Sequence, residues 1–265
     1  MSVRVLFTDL DGTLLNDSKE VTPGNQAAID EALAKGHKIV VCTGRPLASA
    51  RACAAKAGLD KEGCYVICFN GGQIYDPYHE KTVYGKTFPR EIAVEIINEA
   101  LKRDLHIQGY NDTKILCVRE TEELKQYAAA NRLPYEIVAS AEEVVPKDPY
   151  KLIALTTSEE REKNLKFQRE VIAPLAGKVQ EIVPEGISKG FAVRWFCDYV
   201  GVPIENSVAA GDAQNDIEML KAAHIGAVMC NAYPGIEEYG NYVTEHDNNH
   251  DGVAEIIRKF ILKED

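Results

Sequence analysis

Two aspartates separated by one residue follow an apolar run near the start of the chain, in Phe7-Thr8-Asp9-Leu10-Asp11-Gly12-Thr13-Leu14. Residues 3–7 are rich in β-branched and aromatic side chains, which favours a strand. Side chains at positions i and i+2 of a strand point to the same side, so both carboxylates can face one site. A glycine directly after them permits a tight exit from the strand.

Two carboxylates this close repel each other, and a cation between or beside them makes their joint ionisation easier. Oxygen ligands suit a hard cation such as Mg²⁺. An acidic turn without any chemistry would use the same residue types, because Asp and Gly are common in turns. The octet therefore leaves two interpretations open, a magnesium site and an ordinary turn.

Composition narrows the class of protein. The chain has 265 residues, which predicts about one to two domains with a sizeable core. Its net charge of −11 disfavours a general nucleic-acid binder, which needs a basic surface. The seven cysteines are scattered without a Cys-x-x-Cys pair, which argues against a disulfide framework or structural zinc and favours a reducing, cytoplasmic compartment. We expect no membrane partner, because no apolar run approaches the ~20 residues of a membrane span.

The two ends of the chain have the pattern of an α/β fold. Continuous apolar runs of strand length alternate with amphipathic helical stretches, which is typical of a doubly wound, mostly parallel, Rossmann-like sheet. We predict strands at 3–7, 38–42, 65–69, 207–210, 226–229 and 241–244, and helices at 23–35, 46–57, 191–200, 216–223 and 252–262.

The middle of the chain has a different pattern, in which hairpins and helices mix. This predicts an α+β domain inserted into the first one, with residues 1–82 and 186–265 forming the core and residues 83–185 the insertion. We predict a hairpin at 73–75 and 81–84, helices at 91–102, 121–131 and 159–173, and strands at 105–110, 115–118, 135–138, 151–155 and 179–183.

Polar side chains follow several of the predicted strands. Ligands of open α/β sheets bind beyond the carboxyl ends of the strands, so these side chains are candidate site residues. Each also has a purely structural interpretation, as a turn residue, a solvated lysine or a helix cap. The candidates beyond the first octet are Thr43 and Gly44, Lys189, Asp212, Asn215 and Asp216.

Four motifs occur in a fixed order, and together they resemble the haloacid dehalogenase-like hydrolases, in particular phosphatases of the Cof type. The resemblance covers the whole chain, and the long gap between the second and third motifs fits that family's inserted α+β cap domain. The motifs are Asp9-Leu10-Asp11-Gly12-Thr13, Thr43-Gly44-Arg45-Pro46, Ser188-Lys189-Gly190 and Gly211-Asp212-Ala213-Gln214-Asn215-Asp216.

The resemblance implies a role for each matching residue. Asp9 would attack phosphorus, and Asp11 would protonate the leaving alcohol and later deprotonate water. Mg²⁺ would be held by Asp9, Asp212 and the backbone carbonyl of Asp11. Arg45 has two interpretations, a phosphate contact or a structural bridge to acids. The resemblance further implies that phosphate or substrate is bound by Leu10, Thr43, Gly44, Lys189 and Asn215, with support from Asp216 and Arg45.

The expected function is Mg²⁺-dependent hydrolysis of small phosphorylated metabolites, with sugar phosphates as the main class, by a monomer or homodimer. A phosphomutase or a dedicated disaccharide-phosphate phosphatase on the same fold remains an alternative. A phospho-acceptor regulatory domain would be much shorter than this chain. A non-catalytic sugar-phosphate sensor should lack Asp11 or Asp212, and both are present.

Overall fold

The computed structural model describes residues 2–155, 171–172, 175–176 and 179–263. The chain divides into two compact units. The core unit contains Met1–Gly44, Ala50–Val83 and Ser188–Asp265, and the inserted unit contains Arg45–Ser49 and Tyr84–Ile187. The core unit is thus assembled from three separate stretches of chain.

The strands alternate with helices at both ends of the chain and follow one another more closely in the middle. They are β1 (Val5–Thr8), β2 (Lys38–Cys42), β3 (Cys64–Cys68), β4 (Gln73–Asp76), β5 (Lys81–Gly85), β6 (His106–Tyr110), β7 (Ile115–Cys117), β8 (Tyr135–Ile137), β9 (Leu152–Leu155), β10 (Val171–Ile172), β11 (Leu175–Ala176), β12 (Val179–Pro184), β13 (Ser207–Gly211), β14 (Ile225–Val228) and β15 (Tyr242–Val243).

The main sheet has the order β15-β14-β13-β1-β2-β3-β4-β5. The pairs from β15 to β3 are parallel, and β4 adds an antiparallel strand beside β3. In the centre, Thr8 is in register with Val41 of β2 and with Ala210 of β13. The three strands therefore end at the same edge of the sheet, which confirms the prediction of a doubly wound, mostly parallel fold.

Helices occur in both units, and some of those in the core unit connect parallel strands. In chain order they are α1 (Pro23–Ala34), α2 (Leu47–Lys56), α3 (Arg90–Lys102), α4 (Glu122–Asn131), α5 (Ala141–Val144), α6 (Lys189–Val200), α7 (Ile217–Ala222) and α8 (Gly252–Ile256). Strand order runs one way from β1 to β3 and the other way from β13 to β15, so right-handed crossovers place α1 and α7 on opposite faces. None of the helices in the described ranges is both long and apolar enough to cross a bilayer.

The inserted unit has its own sheet, in the order β10-β12-β9-β6-β7-β8, with β11 also paired to β12. Its pairs are antiparallel except β7 with β8. Helices α3 and α5 pack against the sheet around buried Ile97, Ile107 and Leu152. A second apolar cluster joins α4 to β7 through Leu124 and Ile115. The unit is therefore an α+β layer with its own core.

Three features differ from the sequence predictions. The helix predicted at 159–173 lies mostly outside the described residues, but it is wrong at Val171–Ile172, which form β10 because they pair with Val183 and Pro184 of β12. The short helix α5 was not predicted, because four residues are too few to show a period. The closing helix is α-helical only to Ile256 and continues as a π-helical turn over Ile257–Ile261.

Candidate active site

The carboxyl ends of three neighbouring parallel strands bring candidate residues to one edge of the core sheet. Asp9 follows β1, Thr43 follows β2 and Asp212 follows β13. The backbone N–H of Asp9 continues the ladder by donating to the carbonyl of Ala210 at 3.0 Å. This is the crevice position at which open α/β sheets bind ligands.

Lys189 links two of the acids. It is the first residue of α6, a helix capped by the Ser188 hydroxyl, which accepts from the backbone N–H of Phe191 at 3.1 Å. Its Nζ lies 2.6 Å from Asp9 Oδ1 and 2.6 Å from Asp216 Oδ1, and its side chain is fully buried. A buried ammonium between two carboxylates is not a solvated surface lysine, so that interpretation is wrong.

The side chain of Asp216 makes no cap hydrogen bond to the helix that follows it and instead fixes the loop before that helix. Its Oδ2 accepts from the backbone N–H groups of Asp212 and Ala213, both at 3.0 Å, while its Oδ1 accepts from Lys189. The residue is completely buried. One carboxylate therefore fixes both the lysine and the loop that carries Asp212.

Thr13 holds the side chain of Asp212. Its hydroxyl donates to Asp212 Oδ1 at 2.6 Å, and both residues are buried. No role for Thr13 was predicted from the sequence, although a hydroxyl in the turn directly after two acids was a signal for one. Lys19, whose ammonium contacts Asp11, was not predicted either.

Gly12 is required by two features of its surroundings. Its φ of +83° lies in the left-handed region, and an added Cβ would sit 2.5 Å from Asp212 Oδ2. Any other residue would strain the turn and displace the carboxylate. The glycine therefore lets the first motif approach Asp212 closely.

The buried acids outnumber the buried cation. Among the described residues, Asp9, Asp212 and Asp216 each offer an oxygen within 4.8 Å of the others, and Lys189 pairs with two of them, Asp9 and Asp216. Burial raises the pKa of Asp9 to about 7, since Lys189 offsets the effect of burial only in part and Asp216 adds to it. Burial also raises the pKa of Asp212 to about 6, although its bond from Thr13 opposes the rise.

The excess of buried acids also affects the pKa of Lys189. Burial opposes its charge, but the attraction of Asp216 and Asp9 outweighs burial and holds its pKa above the usual value. The site therefore has room for more positive charge. A hard divalent cation fits this set of buried oxygen donors.

The side chain of Asp11 does not belong to that buried cluster. It is partly exposed, and its Oδ1 accepts from Lys19 at 2.8 Å. Its charge nevertheless acts on the site, because it is one of the groups that raise the pKa of Asp212. The ligand expected from Asp11 is its backbone carbonyl, and this stays a prediction.

The remaining candidates lie on the same loops. Thr43 is buried, and its backbone donates to Ile67 and accepts from Asn70, at 2.9 and 3.1 Å. Leu10 is fully buried, so a ligand would meet its backbone. Asn215 is exposed in a 3₁₀ turn between β13 and α7.

Gly44 and Arg45 follow Thr43, but Gly44 belongs to the core unit and Arg45 to the inserted unit. A Cβ on Gly44 would lie 2.9 Å from Asn70 Oδ1, so the backbone there passes close to a side chain. The Arg45 side chain is buried and donates to Ser49 Oγ at 3.1 Å. A phosphate contact for either residue stays a prediction.

The comparisons with known proteins agree with this geometry. The family model described as haloacid dehalogenase-like hydrolase matches residues 6–257. The 5-amino-6-(5-phospho-D-ribitylamino)uracil phosphatase YcsE of Bacillus subtilis is 28% identical, over 99% of this chain and 97% of that protein. The pyridoxal phosphate phosphatase YbhA of Escherichia coli is 28% identical, over 99% of this chain and all of that protein.

A solved structure supports the fold. A haloacid dehalogenase-like hydrolase from Bacteroides thetaiotaomicron superposes with a TM-score of 0.88 at 24% identity, covering 97% of this chain and 99% of the other. The family match extends over nearly the whole sequence and includes every strand of the core sheet except the start of β1. This chain belongs to the haloacid dehalogenase-like hydrolases, which confirms the resemblance seen in its four motifs.

Proposed function

We propose that this protein is a Mg²⁺-dependent phosphomonoesterase that works through an aspartyl-phosphate on Asp9. The observation that carries the proposal is Asp9 itself, a buried carboxylate at a strand end, 2.6 Å from a buried ammonium and within 4.8 Å of two further acids. Family membership and the phosphatase names of relatives support it. We propose that residues 1–82 and 186–265 carry the chemistry and that residues 83–185 contribute to the choice of leaving group.

The first half of the reaction transfers the phosphoryl group to the protein. An Asp9 oxygen forms a bond to phosphorus while the bond between phosphorus and the leaving oxygen breaks. The leaving oxygen takes a proton from the Asp11 carboxyl group and departs as an alcohol. Lys189, with Thr43, the Gly44 amide and Asn215, stabilises the charge that spreads over the phosphoryl oxygens.

The second half releases inorganic phosphate. Water attacks the phosphorus of the aspartyl-phosphate, gives a proton to the Asp11 carboxylate, and restores the Asp9 carboxylate as the acyl-phosphate bond breaks. Asp9, Asp212 and the Asp11 carbonyl would hold Mg²⁺, which when bound supplies positive charge that favours ionised Asp9 and neutralises phosphate. Asp216 keeps Lys189 and the Asp212 loop in position throughout.

The proposed substrates are small organic phosphates, with sugar phosphates as the main class. Relatives of similar identity are named for different phosphates, one of a ribitylamino uracil and one of pyridoxal. This variety supports a small phosphorylated metabolite as the class without selecting one. The rival assignments are a phosphomutase, a dedicated disaccharide-phosphate phosphatase and a non-catalytic sensor.

A phosphate-release screen separates these assignments. With Mg²⁺ present, we expect free phosphate from several small phosphate monoesters, and kcat/KM values that rank sugar phosphates above the others. A phosphomutase would instead yield an isomer and need a bisphosphate activator, and a dedicated disaccharide-phosphate phosphatase would release phosphate from that class alone. No phosphate release from any monoester would contradict the proposal.

Magnesium should stabilise the protein more strongly as the pH rises. Without a cation, the folded protein keeps Asp9 protonated up to its raised pKa of about 7, whereas the unfolded chain loses this proton near the ordinary pKa of 3.8. The stability of the folded state therefore falls as the pH rises between these two values. Mg²⁺ binds the ionised acids of the folded protein, so it offsets this loss of stability at high pH. At a concentration of about 100 Kd we expect Tm to rise on the order of 5 °C at about pH 8, and by much less at about pH 5.

The matched control is Asp212→Asn, which removes one ligand charge and should lose most of the magnesium effect on Tm. Differential scanning fluorimetry at both pH values measures it. An equal rise in Tm at both pH values, or an unchanged rise in the Asp212→Asn variant, would contradict the assignment of these acids to a cation.

A further inference from the structure

A short loop after the first motif reaches back to Asp11. The loop, residues 16–20, lies entirely in the core unit. The ammonium of Lys19 donates to Asp11 Oδ1 at 2.8 Å. Neither the four motifs nor the proposed reaction assigns a role to this lysine.

The loop is closed by its own hydrogen bonds. Lys19 has a φ of +60°, in the left-handed region that non-glycine residues seldom adopt. Its backbone N–H donates to the Asn16 carbonyl at 2.9 Å, and the Asn16 N–H donates to the Glu20 carbonyl at 2.9 Å. The Asn16 side chain accepts from the Glu20 N–H at 3.0 Å. These bonds fix the backbone at Lys19 and therefore the direction in which its side chain projects.

A second loop of the core unit anchors the first. The Asn248 side chain donates to the carbonyl of Leu15 at 3.0 Å, and Asn248 is buried. The Asn249 side chain accepts from the backbone N–H of Asp17 at 3.1 Å. The loop that carries Lys19 is therefore held both by its own hydrogen bonds and by hydrogen bonds with Asn248 and Asn249.

Stability does not account for this arrangement. The side chains of Lys19 and Asp11 are 43% and 37% exposed, and ion pairs this exposed contribute little to folding. The left-handed backbone at Lys19 is itself unfavourable for a residue with a Cβ. A strained and anchored loop that makes a weak ion pair at a proposed proton donor points to a role in that proton transfer.

The chemistry of the pair defines the role. An ammonium only donates hydrogen bonds, so the Asp11 oxygen beside it must accept. While Lys19 donates to Oδ1, the transferable proton of Asp11 is favoured on Oδ2, because an unprotonated carboxyl oxygen is the better acceptor for the ammonium. We propose that Lys19 is a positioning residue that fixes the Asp11 carboxyl group and makes Oδ2 the oxygen that gives the proton to the leaving group. This inference rests on the proposed function.

The proposal predicts a dependence on the leaving group. As the bond from phosphorus to the leaving oxygen breaks, an alkoxide must take up the Asp11 proton, whereas p-nitrophenolate is stable without it. A misplaced Asp11 therefore slows the first half of the reaction for alkyl phosphates and leaves that half nearly unaffected for aryl phosphates. The water step is common to both classes, so the comparison uses kcat/KM, which reports the steps up to departure of the leaving group. Loss of a purely structural contact would slow both classes alike.

The test compares Lys19→Met with wild type on one sugar phosphate and on p-nitrophenyl phosphate. We expect kcat/KM for the sugar phosphate to fall about tenfold or more, a part of the usual range for proton-transfer catalysis, and kcat/KM for the aryl ester to change less than about threefold. Inhibition by inorganic phosphate should be unchanged. The Lys19→Arg variant, which keeps the positive charge, should retain most of the wild-type activity on the sugar phosphate.

Lys56→Met is the matched control, because Lys56 pairs with Glu20 on the same loop at 3.1 Å. It should behave as wild type on both substrates. Equal losses on both substrates in Lys19→Met, or no loss on the sugar phosphate, would overturn the role of Lys19 alone. A wild-type protein that hydrolyses neither ester would instead refute the proposed function.

Discussion

Replacing Asp9 with asparagine should abolish phosphate release, with a loss of at least about 10³-fold in kcat. An amide has the same shape but cannot form the aspartyl-phosphate. The protein should remain folded, because burial already opposes the charged form of this carboxyl group, whose pKa is raised to about 7. Phosphate release from p-nitrophenyl phosphate and far-UV circular dichroism measure the two results.

The control for this variant is Asp30→Asn, which removes an exposed acid of the core unit that pairs with Lys61 at 2.9 Å. That variant should keep wild-type activity. Turnover by the Asp9→Asn variant above about one hundredth of wild type would exclude Asp9 as the nucleophile and with it the proposed mechanism.

Replacing Lys189 with methionine should cost both activity and stability. The variant leaves Asp9 and Asp216 buried without their shared cation. Breaking a buried ion pair by removing one partner lowers the free energy of unfolding by about 3–5 kcal/mol. Urea denaturation measures this loss, and phosphate release should fall at least about 10²-fold because the phosphoryl charge loses a buried donor.

A double variant separates the two effects. Lys189→Met combined with Asp216→Asn removes one of the stranded charges, so it should recover part of the lost stability relative to Lys189→Met alone. It should recover no activity, since the ammonium is still absent. A double variant no more stable than the single one would show that charge imbalance is not the cause of the destabilisation.

The positions of the strands that carry the site, β1, β2 and β13, were predictable because each is a continuous apolar run between clear turn signals. Asp9, Thr43 and Asp212 were found together because each follows such a run, and parallel strands end at one edge. The same reasoning predicted a helix at residues 171–172, because they continue a local helical pattern. They form a strand through pairing with residues 183 and 184 of β12, which lie beyond the reach of that local pattern. Local periodicity carries no information about such partners.

The finer contacts of the site depend on turn geometry that a sequence does not specify. Thr13 reaches Asp212 because Gly12 adopts a positive φ, and Lys19 reaches Asp11 because Lys19 itself does so. A glycine in the sequence indicates that a positive φ is possible, whereas a lysine gives no such indication because it seldom adopts the left-handed conformation. The motifs therefore identified the acids as candidate site residues, but they did not identify Thr13 and Lys19, which hydrogen-bond to those acids.

The position of β1 has a consequence for how the chain folds during synthesis. Val5 pairs with Lys38 on one side, but its other neighbour, Ser207, lies near the far end of the chain. At about 5–20 residues per second, β1 waits roughly 10–40 s for β13 to be made. During that interval, while the intervening segment is being synthesised, the unpaired edge of β1 is open to pairing with other chains. Asp9, which follows β1, and Asp212, which follows β13, can thus come together only after the whole segment between them has been synthesised.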